Sequence, residues 1–592
     1  MHRSTFRVLR FVAVASSVVA IVGATVVAPN APAESSPRDS RSKVFERYES
    51  LADYVESDGQ TPRAWMPETG ISKKGWAASI EDESVRIDSQ GRALYIDPLH
   101  VEHAPDVARP EPATPAVDVP LAVAFLLNSL PGSNRTIYLD FTGHSLVGTY
   151  WQDGGTLADD TIYYTNEQMQ MPAYDLDGDT ATFSDLERRN IIDAWSAISE
   201  DYAPFNVNVT TADPGEAALL RSSGSDTIFG MRALITNNTN AIAAECGCGG
   251  IAYVGVFGYA DSTFNNTYLG PSLNFAQNWF SGKTISDVVS HEVGHNVGLS
   301  HDGTDSQGYY GGRDGWAPIM GVGYYEPLVQ LSNGAYSTAA GEAASNVEDD
   351  YVVAVSKGLP LRTDDYGDTR ATASALTNGT EKSGFISTRA DVDYFSFIAT
   401  ATSHEVSVTS PSLSSNLDVQ AKLFNSSGTL LSTTNPDLFR VSVVSATGLD
   451  AVFTVTTTPG NRYFIALDGV SFGSGTTTGY SDYGSLGEYR INVSYAPKTI
   501  SPAGSVTISG TAKVANTLSA KPTGWMKGVS SRYQWLRDGY SIPNATSSKY
   551  KLTVTDRGRE ISMRLTVTKP GYPAITVTSD PTVAVANSQR AR

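Results

Sequence analysis

The chain has 592 residues, a formal net charge of −19 at pH 7, 41% hydrophobic and 18% charged residues, and two cysteines. That length exceeds what one hydrophobic core supports, so several domains are expected. The acidic balance argues against a polyanionic partner such as nucleic acid, and the composition fits a strand-rich extracellular protein rather than a disordered or membrane one.

In chain order, "MHRSTFRVLR" sets Arg3, Arg7 and Arg10 ahead of an apolar run from Phe11 to Val27, and Ala31 and Ala33 supply an A-x-A cleavage site. This predicts a signal peptide over residues 1–33, and a secreted, soluble chain with no membrane association once it is removed. A membrane anchor is the competing reading, but the run is just short of a comfortable span. Residues 34–126 are weakly patterned and close on "ARPEPATPAVDVP" (108–120), a composition expected of a linker. They read as a propeptide and linker, or as an ordinary N-terminal spacer.

The pattern sharpens from Leu127. "RTIYLDFTG" (135–143) predicts a strand and turn. "YDLDGDTATFSDLE" (174–187) gathers Asp175, Asp177 and Asp179, an oxygen cluster that suits Ca²⁺ or makes a solvated acidic turn. Gly178 falls two positions early for an EF-hand loop, and no glutamate stands at its last ligand position. "SDLERRNIIDAWSAISEDY" (184–202) predicts a helix, with Ser184 and Glu187 as a capping box and Pro204 as its stop. "FNVNVTT" (205–211), "MRALIT" and "GGIAYVGVF" (249–257) predict strands. Cys246 and Cys248 in "ECGCGG" are expected to close a small disulfide; a free pair or an extra metal site are the alternatives.

"HEVGHNVGLSH" (291–301) holds three of the chain's eight histidines. His291 and His295, four apart on a helix, share one face and can share a metal. Thr284 with Asp287 three later is the expected start of that helix. Ile285, Val289, Val293 and Val297 form a stripe on roughly the opposite face, so the helix can pack by one side and offer ligands from the other. Gly298 ends it, and the reversed chain can bring His301 back as a third ligand. Three neutral imidazoles suit zinc with one open position, and Glu292 beside His291 can act as the general base.

The string H-E-x-x-H-x-x-G-x-x-H resembles the metzincin zinc proteases, and Asp302 after His301 is similar to the reprolysin (adamalysin-like) branch. The resemblance spans about residues 127–355. It implies that "APIMGVGYY" (317–325) carries a Met-turn with Met320 beneath the metal, and that "GGIAYVG" is an edge strand on which extended substrate lies. Tyr324 and Tyr325 either reach the cleft or pack. Larger reprolysins hold this domain with several disulfides, which two cysteines cannot provide, and with no cysteine in residues 34–126 any latency needs a blocker other than a thiolate.

After Pro360 the chain turns to Ser, Thr and Gly with alternating segments, an antiparallel sandwich signature. "DVDYFSF" (391–397) and "GYSDYGSLGEYRINV" (479–493) resemble the bacterial pre-peptidase C-terminal domain, in which Asp391 and Asp393 either bind calcium or make a turn; "YQWLRDG" (533–539) resembles an immunoglobulin-like module. His404 reads as an isolated surface residue.

The expected architecture is multidomain: an α/β (α+β) metzincin-like catalytic domain over 127–358, then two all-β sandwich domains, 361–497 and 500–587. The expected function is a secreted zinc endopeptidase acting on extracellular proteins or peptides, with Zn²⁺ as cofactor, Ca²⁺ as a second candidate ion, and cell wall or glycan as candidate partners of the C-terminal domains. The alternative is a non-catalytic adhesin built on a protease-like domain. Residues 127–358, which hold every proposed ligand, are expected to fold and act without the sandwiches.

Overall fold

The computed structural model describes residues 49–57, 66, 69–88, 90–98, 119–153, 165–237, 241–261, 264–276, 281–411, 415–495, 500–569 and 572–587. The expected signal peptide and residues 108–118 of the expected linker lie outside them.

The central feature is an eight-stranded mixed sheet built from β1 (Glu49–Ser50), β2 (Val85–Ile87), β3 (Ala93–Pro98), β4 (Arg135–Asp140), β5 (Asn208–Thr210), β6 (Phe229–Asn237), β7 (Cys248–Tyr253) and β8 (Ser272–Ala276). Its order is β1-β2-β3-β7-β8-β6-β4-β5. Strands β8, β6, β4 and β5 run parallel, whereas β7 is antiparallel to β8. Every residue of β6 is buried, as expected of a central strand covered on both faces.

Two long helices pack on one another: α1 (Asp185–Asp201) and α2 (Gly282–Asn296), with α2 also against β6, β7 and β8. The capping box of α1 forms as the sequence predicts, with Ser184 Oγ accepting from the Glu187 backbone N–H and Glu187 reaching back to the Ser184 N–H. The start of α2 differs from expectation. Ser281, not Thr284, is its N-cap and accepts from the Thr284 N–H. Asp287 is instead paired with Lys283 one turn back, at 2.5 and 2.7 Å.

The described residues between 49 and 98, weakly patterned in sequence, extend the main sheet. The strands β1 and β2 pair, β2 pairs β3, and β3 pairs antiparallel with β7. Leu51, Val55, Trp76, Val85 and Tyr95 form a small core with Val254, the residue after β7. The edge expected for substrate is therefore already covered by the chain's own β3.

Residues 374–495 form two antiparallel-dominated sheets, of five and four strands, around a core that includes Phe395, Leu423, Ile465 and Tyr489. Residues 505–578 form a three- and a four-stranded sheet around Trp535 and Met563. His404 is a correction to the sequence reading: it is buried and its Nδ1 lies 2.9 Å from Thr457 Oγ1, because its strand turns that position toward the inner face.

Residues 127–358 make direct contacts with the residues that follow them. Asn416 donates to Asp201 at 2.8 Å, Gln330 donates to the Asn416 carbonyl at 2.5 Å, and the Tyr483 hydroxyl donates to Asp349 at 2.8 Å. Tyr310, Trp316, Leu328 and Tyr336 share one apolar cluster with Leu438 and Tyr480. The first sandwich is thus fastened beside the segment that follows the third histidine.

Candidate metal centre

The helix α2 carries His291 and His295 one turn apart, with ring centroids 4.8 Å apart. It ends on Gly298, whose φ of 93° needs a residue without a Cβ. The Gly298 N–H donates to the His295 carbonyl and the Leu299 N–H to the Gly294 carbonyl. That reversal returns His301 to the other two rings, at 5.1 Å from His291 and 4.9 Å from His295.

The hydrogen bonds of the rings decide which nitrogens face inward. His291 Nδ1 is 2.9 Å from the Ile319 carbonyl and His295 Nδ1 is 2.9 Å from the Leu299 carbonyl. A carbonyl only accepts, so both Nδ1 atoms carry the proton and each neutral ring presents a bare Nε2. His301 Nδ1 lies 2.6 Å from Asp82 Oδ2. Burial holds His291 down at about 3 and lowers His295 as well. His301 differs: burial lowers it, but Asp82 and Asp97 outweigh that and push it up to about 10.

This donor set fits a cation such as zinc. The Nε2 atoms of His295 and His301 stand 3.1 Å apart, and the buried Nε2 of His291 has no hydrogen-bond partner. With Asp97, one ligand atom from each of the four residues falls within 4.8 Å of all the others. Converging lone pairs and a buried carboxylate oppose one another unless a positive charge sits among them.

Glu292 is buried, and its Oε2 has no partner. Burial raises its pKa well above the ordinary carboxylate value, and the charge of Asp97 adds to this. Its room comes from β7: a Cβ on Gly250 would lie 2.0 Å from Glu292 Oε1. Gly250→Ala is therefore expected to displace the carboxylate and, on the hydrolytic function proposed for this site, to lower turnover by about 10²-fold, as a misplacement of about 1 Å can. Peptide hydrolysis read beside thermal unfolding checks this, since a folded variant with parental turnover would show that the carboxylate need not stay there.

Met320 is fully buried. A Cβ on Gly294, inside the histidine motif, would meet its Sδ at 2.4 Å. The carbonyl of Ile319, just before it, receives the Nδ1 proton of His291. Met320 thus packs against Gly294 of the histidine helix, next to the residue whose carbonyl holds His291. Met320→Leu is expected to keep the metal and lose about 1 kcal/mol of stability, as near-isosteric core swaps do. Metal analysis with denaturant unfolding checks it, and loss of metal from a folded variant would contradict the packing role.

Three residues near the site went unmarked in the sequence reading: Asp97, Asp82 and Tyr309. The Tyr309 hydroxyl donates to Asp97 Oδ1 at 2.8 Å, and its ring lies 4.2 Å from that of His301. Nothing in local sequence distinguishes them, because pairing between distant segments brings them here. Tyr324 lines the cleft beside Glu292, with Gly250, Val288 and Val329.

The other expected sites resolve as follows. Cys246 and Cys248 are bonded to each other. In the acidic loop, Asp175 and Asp177 come together with Glu187 rather than with Asp179. Asp179 turns away to accept from Thr182 and from the Ala181 N–H, and Glu187 is occupied as the capping residue of α1. These contacts are those of a hydrogen-bonded turn, and nothing here supports calcium.

Residues 216–302 match the metallopeptidase family M12B, reprolysin-like, a stretch that contains α2 and all three histidines. None of the curated proteins matches the chain. Among solved structures, the pre-peptidase C-terminal domain of a collagenase from Bacillus anthracis is similar at 16% identity, over 22% of this chain and 97% of that one, with a TM-score of 0.15. A β-glycosidase from Bacteroides vulgatus is similar at 11% identity, over 32% of this chain and 25% of that one, with a TM-score of 0.18. At these scores neither likeness bears on function.

Proposed function

We propose that the chain is a secreted zinc-dependent endopeptidase. The observation that carries this reading is the convergence of three imidazoles beside a buried carboxyl group that only a glycine leaves room for. The reprolysin-like match over residues 216–302 supports it. Export rests on the sequence pattern of residues 1–33.

His291, His295 and His301 would hold the zinc, which when bound polarises the scissile carbonyl and lowers the pKa of water. Glu292 takes the proton from the attacking water and passes it to the departing amine nitrogen. The Tyr309 hydroxyl, which donates to Asp97 here, is free to donate to the carbonyl oxygen once Asp97 has left the site. Substrate adds as a strand to β7 in the place that β3 holds here, and Tyr324 with Val288 and Val329 walls the cleft for one of its side chains. The adhesin alternative has no use for Glu292 or for its clearance. Metal analysis tests the reading: one zinc per purified chain is expected, and none in a folded His291→Ala, His295→Ala double variant. A folded parent without zinc would contradict it.

A further inference from the structure

The strand that covers β7 does more than complete a sheet. It pairs in antiparallel register, Tyr95 with Ala252, Ile96 with Ile251 and Asp97 with Gly250. Side chains alternate along a strand, so Tyr95 and Asp97 share a face, and that face is toward the histidines. The Tyr95 ring stacks on His295 at 4.0 Å between centroids. Asp97 Oδ2 lies 3.2 Å from His295 Nε2 and 3.7 Å from His291 Nε2, while its Oδ1 lies 2.9 Å from His301 Nε2. The register shifts after Asp97, between it and Pro98. Gly250 opposite leaves the space that the Glu292 side chain fills.

The same segment is anchored at several other points. Asp82 holds His301 Nδ1 at 2.6 Å, Ser72 donates to Glu348 at 2.5 Å, and Lys357 donates to the Gly70 carbonyl at 2.8 Å. Substrate needs two things from this protein: the hydrogen-bonding edge of β7, and the space facing the three Nε2 atoms. One continuous stretch of the chain, residues 93–98, takes both.

Resting on the endopeptidase reading, we propose that residues 49–98 are an intramolecular inhibitor. Its strand β3 occupies the substrate edge, and the Asp97 carboxylate is the fourth ligand that closes the metal centre. Asp97 takes the part that a thiolate cannot play here, since both cysteines lie within residues 246–248. Full relief comes with hydrolysis of a peptide bond, with one water, between Pro98 and Pro120, after which the inhibitor is held only by non-covalent contacts; loss of the Asp97 carboxylate alone opens the metal centre and relieves it in part.

The full-length chain, loaded with zinc, is compared with Asp97→Ala for hydrolysis of a fluorogenic peptide and for the rate at which a chelator extracts the metal. Both rates are expected to rise at least ~10-fold in the variant before any cut is made, because inner ligands and their supports are worth roughly 10–100-fold in metal affinity. Cobalt(II) in place of zinc is expected to show a changed visible spectrum on the same substitution. Zinc in both proteins with equal extraction rates, equal hydrolysis and equal spectra overturns the inference and leaves the endopeptidase reading standing. No zinc in either folded protein overturns both. Should Asp97→Ala not fold, a site-specific protease sequence inserted between Val107 and Ala108 serves instead. Cutting the folded parent there is then expected to unmask hydrolysis, and a synthetic peptide of residues 85–98 to suppress it, at least tenfold better than the same peptide with alanine at 97. Equal potency of the two peptides overturns the inference.

Discussion

Glu292→Gln is expected to leave the zinc in place and reduce peptide turnover by about 10³–10⁴-fold, toward the upper end of what a general base contributes. The substitution keeps the shape of the side chain, so the clearance over Gly250 is preserved and the histidines keep their backbone partners. What it removes is the ability of the buried Oε2 to accept a proton from water. Metal content and kcat, measured on the same preparation after removal of residues 49–98, separate the two roles. Parental kcat in a zinc-loaded Glu292→Gln protein would end the proposed chemistry.

The second large effect concerns the sandwich. A chain ended at Leu361 loses Asn416, which donates to the buried carboxyl of Asp201, and loses Leu438 and Tyr480 from their cluster with Tyr310, Trp316 and Tyr336. Asp201 also accepts from Ser290, the residue before the first histidine, at 2.6 Å. An unpartnered buried polar group costs ~1–3 kcal/mol, and each large apolar side chain returned to water costs a further ~1.5–3 kcal/mol. The shortened chain is therefore expected to be less stable by several kcal/mol and to lose hydrolysis of short peptides as well as of large proteins. Denaturant unfolding and peptide assays check this. Parental stability and turnover would show that the contacts between residues 127–358 and the sandwich contribute little.

What was legible in the sequence was local. The capping box of α1, the two histidines on one turn and the reversal at Gly298 are all set by residues within a few positions of one another, so spacing alone displays them. The start of α2 was misplaced because Thr284 with Asp287 imitates a capping pair, while the side chain that caps is Ser281 and Asp287 prefers Lys283. The acidic loop was read as three alternating aspartates, but Glu187 folds back over it and Asp179 turns away, which no spacing rule encodes.

What was not legible came from pairing across distance. Asp97 meets the histidines only because β3 lies on β7 in a register that sets it opposite Gly250. A slip of one residue would turn it to the other face. Short strands in a weakly patterned segment carry no such register in their composition. The docking of the first sandwich escaped for a related reason. It rests on single residues such as Asn416 and Tyr483 that look like ordinary loop positions until their partners Asp201 and Asp349 are seen.

The most direct test of the central claim is hydrolysis of an unstructured peptide by the chain freed of residues 49–98, followed through metal removal and return. The account predicts turnover that disappears with a zinc chelator, returns on addition of about one equivalent of zinc, and stays absent in the His291→Ala, His295→Ala variant. Turnover that survives complete removal of the metal, or a freed, folded and zinc-loaded chain that cleaves no peptide, would contradict it.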